Sequence, residues 1–176
     1  MAGRAPAARA PRRDRHGRFA VVAARFNEPI VKKLVDGALT TFTHGGVASG
    51  ATEVHWVPGS FELPVAAQHL AVTGRYAGIA CVGVVIRGET PHFEHVAREA
   101  AAGIRTVALE TGVPVTFGVI TALTEEQAWA RAGGDVGNRG AEAAEAALEM
   151  ADFVAAQSAR PAAKRARRAA RSRRRR

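Results

Sequence analysis

The chain has 176 residues, 25 of them basic and 16 acidic, with a formal net charge of +9 and 47% hydrophobic residues. That length suffices for one domain with its own core. The one cysteine excludes an intrachain disulfide, and no apolar run reaches the roughly 18 residues that a membrane span needs.

The charge is unevenly placed. Residues 1–18 carry six arginines and one acid, and residues 160–176 carry ten basic residues and no acid; the stretch between holds nine basic against fifteen acidic residues. An acidic globular domain therefore stands between two basic arms. A lone cysteine fits a reducing compartment, and the N-terminal arm lacks the apolar core of a secretory signal.

In chain order, residues 1–18 mix Ala, Pro, Arg and Gly and are expected to be disordered. Residues 19–24 are a short apolar strand. Asn27 can cap a helix with Pro29 near its start, and Leu34, Ala38 and Phe42 recur at helical spacing up to Gly45-Gly46. Residues 52–57 form the second strand, ended by Pro58-Gly59. Ser60 leads into a helix carrying Leu63, Ala66, Ala67 and Leu70 and ending near Gly74. The third strand, 79–86, is almost wholly apolar. Thr90 as N-cap and Pro91 as first helical residue open a helix that runs to Glu110 and stops at Gly112. Residues 115–120 are the fourth strand. Thr124-Glu125-Glu126-Gln127 is a capping box for a short helix to Ala132. Gly133-Gly134 opens a flexible corner, and Asn138 caps a last helix through Ala156. The domain division is thus 1–18, a disordered basic arm; 19–158, an α/β domain; and 159–176, a disordered Arg-rich tail.

Four strand–helix units, with strands lacking period-two alternation, predict a three-layer α/β sandwich: a four-stranded parallel sheet flanked by helices. In such folds ligands bind beyond the carboxyl ends of the strands. Three of those ends carry unusual residues: Arg25-Phe26-Asn27, Gly59-Ser60-Phe61-Glu62, and Gly88 through His92. At the third, a helix start attracts an anion and His92 in its first turn supplies a side chain that exchanges protons near neutral pH. Phe26 reads equally as core or as a stacking surface for a flat heterocycle. Glu62 reads equally as a complement to a helix dipole or as an acceptor for hydroxyls, and Arg131 as a favoured cation at a helix end or as a ligand for an anion.

Three motif matches fail on mechanism. Gly83 through Thr90 approaches a phosphate loop, but Glu89 stands where the lysine belongs and would repel phosphates. Gly133-Gly134-Asp135-Val136-Gly137 follows a helix, whereas a dinucleotide loop must follow a strand. His92 and His95 share a helical face but lack a third zinc ligand.

Together these stretches resemble the 6,7-dimethyl-8-ribityllumazine synthase family. The resemblance rests on Ala24-Arg25-Phe26-Asn27; Trp56 through Pro64; Gly83 through Phe93; Val115 through Val119; Glu126-Gln127-Ala128 with Arg131-Ala132-Gly133; and Gly137 through Glu142, in the family's order and spacing over about residues 18–156. It implies a flavodoxin-like domain that joins 5-amino-6-(D-ribitylamino)uracil to 3,4-dihydroxy-2-butanone 4-phosphate, releasing phosphate and water, with no metal or cofactor. By position, His92 would be catalytic. Phe26, Asn27, Ser60, Phe61, Glu62, Val84, Val85, Ile86 and Phe117 would bind the pyrimidine and its ribityl chain. Glu89, Thr90 and Arg131 would bind the phosphate, and Arg139 is a further candidate. The resemblance also implies a cytoplasmic homo-oligomer, with Phe117 and Arg131 supplied by the neighbouring subunit, and riboflavin synthase as a candidate partner.

Two departures bear on assembly and charge. Arg139 stands where many relatives have lysine. The 133–138 corner keeps the length seen in icosahedral members but carries Asp135 in place of a lysine. A pentamer and a shell of about sixty subunits both stay open, with the lean toward the shell. Two other functions compete: non-specific polyanion binding by the Arg-rich tail, and a flavin-binding module that would leave His92 and Arg131 without a purpose.

Overall fold

The computed structural model describes residues 17–173, with side chains described through residue 158. The central sheet is four-stranded and parallel, in the order β2-β1-β3-β4. Its strands are β1 (Arg18–Ala24), β2 (Thr52–Val57), β3 (Tyr76–Ile86) and β4 (Val115–Ala122). The helices are α1 (Glu28–His44), α2 (Leu63–Ala71), α3 (His92–Thr111), α4 (Glu125–Ala130) and α5 (Arg139–Arg173), with a 3₁₀ turn at Ser60–Glu62 before α2. The expected three-layer α/β architecture is what the chain adopts.

The layers follow from alternation along the inner strands. Phe19, Val21, Ala23, Ala80, Val82 and Val84 pack toward α1 and α5. Ala20, Val22, Ala24, Ile79, Cys81 and Val85 pack toward α2 and α3. Both faces are covered, so these strands read as continuous apolar runs. Cys81 lies mid-strand at zero exposure, and burial pushes its thiol up to about 12.

On the first face, α1 buries Ile30, Val31, Leu34, Val35, Ala38 and Phe42, a stripe of one helical face. The Phe42 ring lies 5.0 Å from that of Phe19. Truncating a buried Phe of this kind costs about 3–5 kcal/mol. α5 meets α1 and β4 through small residues: a β-carbon on Gly140 would collide with the backbone carbonyl of Leu34 in α1, and one on Gly118 of β4 would lie 2.9 Å from Ala143 Cβ.

Several local expectations change. β1 starts at Arg18, one residue inside the expected arm, because Arg18 already pairs with Tyr76 of β3; residues 1–16 lie outside the described residues. Asn27 has φ +60° and makes no side-chain cap on α1. α3 begins at His92, with Pro91 at its N-cap position, so Thr90 does not cap it. The 133–138 corner is a small antiparallel hairpin, β5 (Ala132–Gly134) against β6 (Gly137–Asn138), with Gly133 and Gly137 at positive φ. Asn138 does cap α5, its Oδ1 accepting from the N–H groups of Gly140 (2.9 Å) and Ala141 (3.0 Å). That helix continues to Arg173, beyond the expected end at Ala156; residues 174–176 lie outside the described residues.

At the amino end of the sheet, Glu53 on the edge strand β2 gathers its neighbours. Tyr76 Oη and Arg18 donate to its carboxylate, Arg75 Nη2 lies at 3.1 Å and His55 Nε2 at 3.4 Å. The Tyr76 and Arg18 hydrogen bonds hold the Glu53 carboxyl down at about 2. Burial, and then the bond to Glu53, pushes the Tyr76 phenol up.

Candidate active site

The opposite end of the sheet holds a cavity of about 480 Å³. The strand order puts it where the chain, after β1, has gone to one side for β2 and returns to the other for β3, the switch point at which parallel α/β sheets bind ligands.

Each wall comes from one strand end. β1 continues past Ala24 as Arg25 N–H donates to Val57 O (2.8 Å) and Phe26 N–H to Pro58 O (3.1 Å). That pairing brings the Phe26 ring to the cavity mouth, 70% exposed. After β2, Gly59 and the 3₁₀ turn supply Ser60, Phe61 and Glu62. Phe61 is also exposed, whereas Ser60 is buried, and its Oγ has no hydrogen-bond partner among the described residues. A buried hydroxyl left unpaired costs about 1–3 kcal/mol, and this one lines the cavity. Below it, a β-carbon on Gly83 would stand 2.5 Å from Ser60 Oγ, so only glycine leaves the hydroxyl its place.

The floor is the end of β3, Val84, Val85 and Ile86, followed by Gly88 and Thr90. The remaining wall is the start of α3. His92 is exposed in its first turn, and Phe93 and Val96 line the cavity beside it. No side chain caps this helix start, whose N–H groups carry the positive end of the helix dipole.

The structure thus brings together His92, Phe26, Ser60, Phe61, Glu62, Val84, Val85, Ile86 and Thr90 from the expected set. Asn27, Glu89, Phe117, Arg131 and Arg139 are not part of the lining. Asn27 turns its amide back onto the protein, Nδ2 donating to Val84 O at 3.2 Å. Phe117 is 44% exposed on β4, paired in register with Cys81, whereas the cavity-lining Val84, Val85 and Ile86 pair with Ile120, Thr121 and Ala122 further along the strand. Three residue steps of strand separate Phe117 from Ile120, the partner of Val84, about 10 Å. Arg131 follows α4 with Nη1 donating to Gln127 O at 2.9 Å, and Arg139 pairs with Glu142. Phe93 and Val96 line the cavity without having been named as site residues; their i+1 and i+4 spacing from His92 is the signal that could have found them.

Fold and cleft together define the class: a flavodoxin-like α/β domain with a cavity at its strand-order switch point. Within that class, the model of the 6,7-dimethyl-8-ribityllumazine synthase family matches residues 16–155, and the chain belongs to that family. Its activity is that of a transferase of riboflavin biosynthesis acting on small-molecule substrates. Among the described residues, no helix is long and apolar enough to cross a membrane, and no group of three or more His, Cys, Asp or Glu side chains could hold a metal ion.

Proposed function

We propose that the cavity holds 5-amino-6-(D-ribitylamino)uracil and 3,4-dihydroxy-2-butanone 4-phosphate side by side, and that His92 moves the protons of their condensation. One observation carries this reading. A single cavity joins an exposed aromatic ring (Phe26), an unpartnered buried hydroxyl (Ser60) and an imidazole on an uncapped helix start (His92).

In this reading Phe26 stacks on the pyrimidine, and Val84, Val85 and Ile86 meet its edge. Ser60, Phe61 and Glu62 take the ribityl chain, which gives the Ser60 hydroxyl its missing partner. Thr90 and Glu89 offer backbone N–H groups to the phosphate at the start of α3. The substrate amine attacks the ketone and a first water is lost, phosphate leaves by elimination, and the ring closes with loss of a second water. Each stage moves a proton that His92 accepts or returns, work that contributes typically 10²–10⁴-fold. Holding two reactants in one cleft lowers the entropic barrier of a reaction that needs no redox step.

Phe117 and Arg131 complete the site from the neighbouring subunit, Arg131 binding phosphate; Arg139 adds positive charge nearby. The absence of Phe117 and Arg131 from the cavity lining of their own chain supports this arrangement. The oligomer is a pentamer or a shell of pentamers, with the lean toward the shell, in the cytoplasm, and its product goes on to riboflavin synthase. Purified protein mixed with both substrates should develop the absorbance and fluorescence of the product. No turnover by the wild type, or undiminished turnover by His92→Ala, would sink the assignment.

A second reading concerns the tail. Ten basic residues and no acid in 160–176, beside an acidic domain, favour salt-dependent, sequence-independent binding of nucleic acid phosphates. Many tails on one oligomer would add avidity. Deleting 160–176 should abolish retention on RNA or DNA at low salt; unchanged retention would refute it.

A further inference from the structure

Asn27 is the one non-glycine residue at positive φ among the described residues, at φ +60° and ψ +40°. Left-handed backbone is unfavourable for a residue with a β-carbon, and such conformations gather at functional sites. Asparagine before a helix ordinarily turns its side chain onto the helix N–H groups. Here it does not: the amide reaches 57 residues along the chain and donates to the Val84 carbonyl.

The sheet explains that reach. β1 pairs with β3 only as far as Ala23 opposite Val82, whereas β4 pairs with β3 as far as Ile86. Over Val84 to Ile86, β3 therefore has a strand on one side only. The Asn27 amide stands in for the next backbone donor of the missing β1 ladder. It thereby ties the residue after Phe26 to the first residue of the cavity floor. Two walls from different strand ends are fixed relative to one another by a single side chain.

We infer that Asn27 is a positioning residue. It makes no contact with the heterocycle; it sets the spacing between the Phe26 ring and the Val84–Ile86 edge, and so the width of the slot that accepts the pyrimidine. This rests on the proposed placement of the pyrimidine between those two walls.

The substitution that isolates the amide is Asn27→Gly, since glycine keeps the left-handed backbone without strain. Losing one positioning hydrogen bond should raise KM for the pyrimidine substrate about five- to tenfold. KM for the phosphate-bearing ketone and the thermal midpoint should stay as in the wild type. Asn27→Asp, which sets a carboxylate against the Val84 carbonyl, should be worse than Asn27→Gly in the same constant. A folded Asn27→Gly protein with the wild-type KM for the pyrimidine would overturn the inference, as would an equal rise in both KM values. Should either variant fail to fold, binding of the product by the other, read from its fluorescence, decides in the same way. Absence of turnover in the wild type would instead remove the placement on which the inference rests.

Discussion

Gly83 and Ser60 share one volume. The position that a side chain on Gly83 would fill, 2.5 Å from Ser60 Oγ, is already closed by that hydroxyl. The two residues come from different strand ends, and together they keep a polar atom buried and unpaired at the cavity wall. Ser60→Ala removes that unpaired atom. It should leave stability unchanged or raise it by about 1 kcal/mol, while raising KM for the ribityl-bearing substrate. Denaturant titration alongside steady-state kinetics separates the two effects.

Gly83→Ala should do the reverse of a silent change. Its methyl group must displace Ser60 or shift β3, and overpacking of this kind costs typically about 1–3 kcal/mol. The melting temperature should fall, and activity should fall with it in samples that remain folded.

Glu53 predicts an acid limb in the stability curve. Its carboxyl has a folded value of about 2 against an ordinary value of 4.5. The folded value is depressed, so the stabilisation is present in full above 4.5 and drains away as pH falls from there toward 2. Chemical denaturation midpoints measured across that window should decline more steeply in the wild type than in Glu53→Gln. Equal slopes would show that Arg18, Tyr76 and Arg75 hold Glu53 no better in the folded protein than water does.

A site shared between subunits has a particular signature. His92→Ala and Arg131→Ala chains should each be nearly inactive alone. Co-expressed in equal amounts, they should form mixed oligomers in which about a quarter of the sites take both intact residues from different chains. Turnover should recover to that order. Mixed oligomers as inactive as their parents would place both residues in one chain's site.

Asn138 holds α5 at both ends of its amide: Oδ1 caps Gly140 and Ala141, and Nδ2 donates to Lys33 O at 2.8 Å. Asn138→Ala should destabilise by about 1–2 kcal/mol, the range of a lost helix cap, visible as a lowered melting temperature.

Much of this was legible in the chain itself. The apolar runs of β1 and β3 announced strands covered on both faces, and Gly59, Gly88 and His92 marked the strand ends that form the cavity. What local pattern missed has a common cause. Asn27 looks like a cap because the sequence around it contains a helix start, but its partner Val84 lies 57 residues away. Thr90 looks like a cap too, yet α3 begins only at His92. Gly133 and Gly137 look like flexible breaks, yet their positive φ values shape a hairpin that returns Arg139 N–H to Arg131 O at 2.9 Å. Phe117 and Arg131 carried a resemblance, but nothing in their own neighbourhood says that they lie outside the cavity lining of their own chain.

The solitary Cys81 has a practical consequence. A thiol sealed inside β3 and held protonated offers no nucleophile to an alkylating reagent while the sheet is closed. Every labelling event then records an opening of the central sheet, from one position in a chain with no second thiol to confuse the signal. The native protein carries its own clock for unfolding, readable by mass, without any engineered probe.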